Sequence, residues 1–157
     1  MRNSITQKPL DIIVGRIIVH IFGKIKDKNL ASIFSDYSSR VTSKGIMVKI
    51  YSDKKDNNNY EKYLTTLKGD LIILDENGVQ KTSKELSDLI SKISLSNDTV
   101  NFAIGPPDGF SYKLKNVSNQ QISLSMMTLP HEIAACILLE QMYRATEIIR
   151  GSPYHRA

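Results

Sequence analysis

Short apolar, β-branched runs recur along this chain, and each is followed by a stretch whose apolar residues fall at helical spacing. Residues 16–22 (Arg-Ile-Ile-Val-His-Ile-Phe) form the first such run and stop at Gly23, and residues 29–40 follow with Leu30, Ile33, Phe34 and Tyr37 on one helical stripe. The alternation continues through a strand over 46–51, a polar loop over 52–59 and a short helix over 60–67. A strand over 70–75 comes next, closed by Asn77-Gly78. Ser83 opens a further helix, with Glu85 and Asp88 in a capping-box pattern displaced by one and a stripe of Leu86, Leu89, Ile90 and Ile93. Strands over 100–104 and 121–126 precede a long helix that Pro130 introduces and Gly151 ends. Strands spaced by helices predict an α/β fold, a mostly parallel sheet covered on both faces.

The length of 157 residues suits one domain, expected over residues 16–157, with residues 1–15 as a polar extension. No stretch reaches the roughly 20 apolar residues that span a bilayer. Residues 12–22, the most apolar early segment, are broken by Gly15, Arg16 and His20. The chain is therefore expected in the cytoplasm, without a membrane partner. A single cysteine, Cys136, excludes an internal disulfide and a Cys-rich zinc site, and sits where an inert core thiol is expected. The histidines at 20, 131 and 155 have no metal-ligand spacing, so no metal is implied. The net charge of +5 divides unevenly: residues 1–55 hold 11 Lys/Arg against 4 Asp/Glu, and the remainder 10 against 12. Lys24, Lys26, Lys28, Arg40, Lys44 and Lys49 are a candidate phosphate-binding face.

In parallel sheets a ligand crevice lies outside the carboxyl ends of the strands. Three loops at those ends stand out: 75–78 (Asp-Glu-Asn-Gly), 105–109 (Gly-Pro-Pro-Asp-Gly) and 125–130 (Ser-Met-Met-Thr-Leu-Pro). Gly105, directly after a buried strand, permits close backbone approach to a ligand, although a tight turn is the commoner reason for such a glycine. A Walker loop and a GxGxxG are both absent, so nucleotide triphosphate and dinucleotide sites have no local support. On the last helix Glu140 and Arg144 stand at i and i+4, the spacing of an ion pair that holds an arginine for an anion. The tail places Tyr154, His155 and Arg156 side by side: a ring that can stack on a base, an imidazole that can move a proton, and a guanidinium that can hold phosphate.

Read in order, residues 101–109 (Asn-Phe-Ala-Ile-Gly-Pro-Pro-Asp-Gly), 123–131 (Ser-Leu-Ser-Met-Met-Thr-Leu-Pro-His), 139–145 (Leu-Glu-Gln-Met-Tyr-Arg-Ala) and 153–156 (Pro-Tyr-His-Arg) resemble the RlmH family of SPOUT-class RNA methyltransferases. The resemblance covers about residues 16–157. It implies a deep C-terminal trefoil knot and S-adenosylmethionine as cofactor. It also implies methylation of N3 of a pseudouridine in 23S ribosomal RNA of the assembled ribosome, by a homodimer whose sites combine both subunits. By motif, Leu74, Gly105, Leu124, Ser125, Met126, Met127, Thr128 and Leu129 would line the cofactor pocket, though the two methionines are equally expected in a core. His131, Arg144, Tyr154, His155 and Arg156 are the candidates for catalysis: His155 or Tyr154 for the N3 proton or the orientation of the base, Arg144 and Arg156 for phosphate or developing negative charge. Two positions depart from the family pattern: Pro106 replaces a second glycine, and Ala135 stands where many members carry arginine. The alternatives are a ribosome-associated binding module that has lost activity and a knotted tRNA methyltransferase; the short chain and the tail argue against the latter.

Overall fold

The computed structural model describes residues 16–156 apart from 53, 55 and 56, so the expected extension over 1–15 lies outside the described residues. Along the chain the elements are β1 (Arg16–Phe22), α1 (Lys28–Ser43), β2 (Ile46–Tyr51), α2 (Asn57–Thr65), β3 (Asp70–Gln80), α3 (Ser83–Ser94), β4 (Thr99–Ile104), α4 (Tyr112–Val117), β5 (Gln120–Ser123) and α5 (His131–Arg150). The strands pair in the order β2-β1-β4-β3-β5, and every pairing is parallel. Every residue of β1 after Arg16 and of β4 after Thr99 is buried, as expected of inner strands covered on both faces. At the edge, β2 exposes Met47, Lys49 and Ile50.

Two layers cover the sheet. Phe34 and Val41 of α1, Leu86, Ile90 and Ile93 of α3, and Leu138, Leu139 and Met142 of α5 pack with Ile17, Val19, Phe102 and Ile122. Tyr60 and Leu64 of α2, Leu114 of α4, and Phe110 just before α4 pack with Phe22, Leu71, Ile73 and Ala103. Cys136 is buried in the first cluster, where its thiol donates to the Leu30 carbonyl at 3.5 Å and its pKa is pushed up by burial.

The second layer contains a buried polar network. Asn101 donates its amide to the Lys68 carbonyl at 2.8 Å, which leaves its oxygen to accept from His20 Nε2 at 2.9 Å. The Tyr63 hydroxyl then donates to His20 Nδ1 at 3.4 Å, fixing a neutral ring. Burial is the main reason that the His20 pKa is lowered; the Asn101 bond opposes this and the charge of Lys49 adds to it. Tyr60, fully buried, donates to the Ile104 carbonyl at 2.8 Å, just before Gly105.

Several local expectations are corrected. Asn77-Gly78 does not end β3: Leu74 and Val79 both pair with Ile122, so residues 75–78 bulge out and the strand resumes. Gly78 is required there because a Cβ would lie 2.6 Å from the Gln121 backbone. The capping box is not displaced, because Thr82 caps α3 and exchanges bonds with Glu85 at 3.1 and 3.0 Å. β5 ends at Ser123, which leaves residues 124–126 outside the strand. Helix α4 carries no amphipathic signature; its six residues bury only Leu114, and Ser111 caps it by accepting from the Leu114 amide.

Candidate active site

The 75–78 bulge of β3 and the loops at the carboxyl ends of β4 and β5 enclose one cleft of about 270 Å³. They are the three that the sequence marks. Leu74, Asp75, Glu76 and Asn77 come from the first, residues 104–110 from the second, and Leu124, Ser125, Met127, Thr128 and Leu129 from the third, with His131 and Ala134 from the start of α5. Seven of the eight residues expected around a cofactor therefore share this wall. Met126 does not line it and is 82% exposed, and neither Met126 nor Met127 is a core residue.

Hydrogen bonds knit the loops together. Thr128 donates its hydroxyl to Glu76 at 2.7 Å, and Lys115 of α4 pairs with Asp75 at 3.3 Å. Within the third loop Ser123 donates to the Ser125 carbonyl and Ser125 accepts from the Met127 amide. The second loop turns through Pro106–Gly109, with the Gly109 amide on the Pro106 carbonyl at 2.8 Å. Pro106 thus uses only its carbonyl, and Pro107 occupies the position where β-turns favour proline. Gly105 has Phe110 beneath it, and a Cβ would meet that ring at 3.2 Å.

The cleft offers apolar walls at Leu74, Ile104, Leu124 and Leu129, exposed loop backbone, and three carboxylates against one lysine. This donor set suits a ligand with an adenine face and a cationic sulfonium end. S-adenosylmethionine fits it by chemistry. Ala135 lies fully buried one position away from Ala134, so the missing arginine removes no part of the wall.

A second cluster lies farther along α5. Glu140 Oε1 accepts from Arg144 Nε at 3.0 Å, from the other Arg144 nitrogen at 2.6 Å and from the Tyr154 hydroxyl at 3.1 Å. The Arg144 guanidinium lies 4.9 Å from the Tyr154 ring centre and approaches His155 Nδ1 at 3.2 Å. Tyr37 of α1 meets the Tyr154 hydroxyl at 3.2 Å, and Arg40 sits over the Tyr37 and Tyr143 rings. Burial pushes the Tyr154 pKa well above the ordinary phenol range, and the Tyr37 bond and the Glu140 charge add to it. Its hydroxyl is a donor at neutral pH. Arg156 is exposed beside this cluster.

The catalytic candidates are thus divided. His131 faces the cleft, while Arg144, Tyr154 and His155 stand together; thirteen residues of helix separate His131 from Arg144, a rise of about 20 Å. The lysines divide as well. Lys24 and Lys26 lie on the loop at the carboxyl end of β1 and Lys28 opens α1; Glu132 of α5 accepts from the Lys26 and Asp27 amides at 3.0 and 3.1 Å. Arg40 and Lys44 are at the far end of α1, held by Asp36 and Glu147 respectively. They do not form one face. Lys115, Phe110 and Tyr60 were not legible as site residues, because α4 shows no period and Tyr60 acts from beneath the loop. Among the described residues no group of three His, Cys, Asp or Glu side chains could hold a metal, and no helix is long and apolar enough to cross a membrane.

Comparison with known proteins gives the family and the fold. The family described as "Predicted SPOUT methyltransferase" matches residues 16–155. The ribosomal RNA large subunit methyltransferase H of Coprothermobacter proteolyticus is 41% identical over 142 residues, 88% of this chain and 99% of that protein. That of Prochlorococcus marinus strain MIT 9515 is 35% identical over 143 residues, 91% of this chain and 97% of that protein. A probable methylase family protein from Haemophilus influenzae shares the fold, with a TM-score of 0.56 at 10% identity over 92% of this chain and 72% of that one. The chain belongs to the SPOUT methyltransferase family, alongside these large subunit methyltransferase H relatives.

Proposed function

We propose that this chain is an S-adenosylmethionine-dependent methyltransferase that modifies N3 of a pseudouridine in 23S ribosomal RNA of the assembled ribosome, in the cytoplasm. The carrying observation is the convergence of the three loops on one apolar and acidic cleft at the carboxyl end of the sheet. The knotted C-terminal path of the family belongs to the same reading.

When bound, S-adenosylmethionine supplies an electrophilic methyl group on a sulfonium. The cleft's part would be to hold that group against the target and exclude water: Leu74, Leu124 and Leu129 would offer apolar walls to the adenine, and loop backbone would supply hydrogen bonds. N3 must lose its proton as the N–C bond forms. Of the candidates we assign it to His155, whose Nδ1 becomes free to accept once the Arg144 guanidinium turns to the base, since Tyr154 is held neutral and donates to Glu140. Arg144, fixed by Glu140, stabilises the negative charge that develops on the base, and Arg156 meets phosphate. His131 contacts the cofactor side of the reaction.

The rise of about 20 Å along α5 puts the tail cluster out of reach of its own cleft. The active form is therefore a homodimer in which each tail serves the partner's cofactor. Lys24, Lys26 and Lys28, at the cleft end of the sheet, contact ribosomal RNA phosphate.

The test is incorporation of labelled methyl from S-adenosylmethionine into ribosomes that lack the modification, compared with free tRNA, with the product mapped by mass spectrometry. Methyl on N3 of a 23S pseudouridine is expected. Labelling of tRNA alone, or no binding of S-adenosylmethionine by calorimetry, overturns the reading.

A further inference from the structure

We infer that Tyr112 is a nucleobase-stacking platform at the rim of the cleft, holding an unpaired ribosomal nucleotide beside the target; this rests on the proposed RNA methylation and adds where the RNA is held. The chain has seven tyrosines, and six of them, Tyr37, Tyr51, Tyr60, Tyr63, Tyr143 and Tyr154, engage another aromatic ring. Tyr112 is 79% exposed and has no ring or hydrogen-bond partner among the described residues.

Its position is set by its neighbours. Tyr112 opens α4 three residues before Lys115, which lines the cleft, and residues at i and i+3 share a helix face. Phe110, two residues earlier, lies under Gly105 in the same wall. The ring thus stands about one helical turn outside the wall, on a support anchored by buried Leu114 and the Ser111 cap. The helix itself is basic, whereas the cleft it borders carries Asp75, Glu76 and Asp108. Helix α4 has no acidic residue and exposes Lys113, while the neighbouring Glu61 is engaged by the Ser111 amide and hydroxyl. An exposed aromatic face beside a lysine is the arrangement on which single-stranded bases stack, whatever their sequence.

The test compares the full chain with Tyr112→Ala and Tyr112→Phe in two assays: methyl incorporation into unmodified ribosomes, and binding to those ribosomes without cofactor. Tyr112→Ala should weaken ribosome binding and raise the ribosome KM by about tenfold or more. Its S-adenosylmethionine affinity, kcat and oligomeric state should stay unchanged, and Tyr112→Phe should behave as the parent because the ring is kept. Tyr112→Ala matching the parent in both ribosome assays overturns the inference, as does a phenylalanine variant as impaired as the alanine one or a changed oligomeric state. If the parent binds ribosomes without methylating them, the proposed activity fails while the binding comparison still decides the role of Tyr112. If the parent does neither, both fall.

Discussion

At its amino end α5 presents His131 and Ala134 to a cleft built from loop backbone and apolar side chains, whereas farther along it presents Glu140 and Arg144 to a charged, aromatic cluster closed by the tail. The first region sets apolar walls beside Asp75, Glu76 and Asp108, which suits holding a ligand with an apolar face and a cationic end. The second concentrates proton donors and acceptors on one carboxylate, which suits handling a base and its charge. One rigid helix carries both, so neither can shift toward the other. The distance between the cleft and the tail cluster is built into the length of α5.

The comparison can be broken from either end. Arg144→Ala removes the Glu140 pair, the Tyr154 stacking and the His155 contact together; kcat should fall by about a hundred- to a thousandfold with cofactor affinity within about twofold. Single-turnover kinetics beside calorimetry reads both. His155→Gln should lower kcat by about a hundredfold, again without weakening cofactor affinity. Equal loss of turnover and cofactor binding in either variant would erase the distinction between the regions. Gly105→Val works from the other end. Its side chain must displace Phe110 or enter the cleft, so cofactor affinity should drop about ten- to a hundredfold while the tail stays folded on α5.

The smallest effect belongs to a third region that should serve neither. His20 is buried neutral with its pKa below the ordinary 6.5, mainly through burial. The unfolded chain binds the extra proton first, so stability is full above about 6.5 and is lost as pH falls through the lower folded value. Thermal unfolding between about pH 7 and pH 5.5 should show this decline, and His20→Asn should make it shallower without changing cofactor affinity.

Much of this division is legible in the sequence, because strong local signals coincide with the sheet. Buried inner strands such as Val100-Asn-Phe-Ala-Ile104 read as continuous apolar runs, and the loops at their carboxyl ends stand out by glycine and proline. Asn77-Gly78 misleads because its turn chemistry serves a bulge, with Gly78 fixed by the Gln121 backbone rather than by a chain reversal. Helix α4 is silent because six residues are too few to show a period, and Lys115 and Tyr112 go unread with it. Met126 passes for a cofactor wall by its place in the motif, yet loop geometry turns it outward. Distance is invisible to any motif. Pro-Tyr-His-Arg and Ser-Leu-Ser-Met-Met-Thr-Leu read as parts of one site, whereas the tail packs on Glu140 and Arg144, farther along α5 than the cleft residues His131 and Ala134.

The most direct test of that separation mixes two impaired proteins at a cofactor concentration that saturates the parent cleft but not the Gly105→Val one. Gly105→Val lacks a working cleft and keeps its tail; Arg144→Ala keeps its cleft and lacks a working tail. In a twofold dimer of one copy of each, one of the two sites combines an intact cleft with an intact tail. Random exchange of subunits should therefore restore about a quarter of the parent activity in the ribosome methylation assay. Activity that stays at the level of the separate variants after subunit exchange has been verified would contradict the account and require cleft and tail to act within one chain.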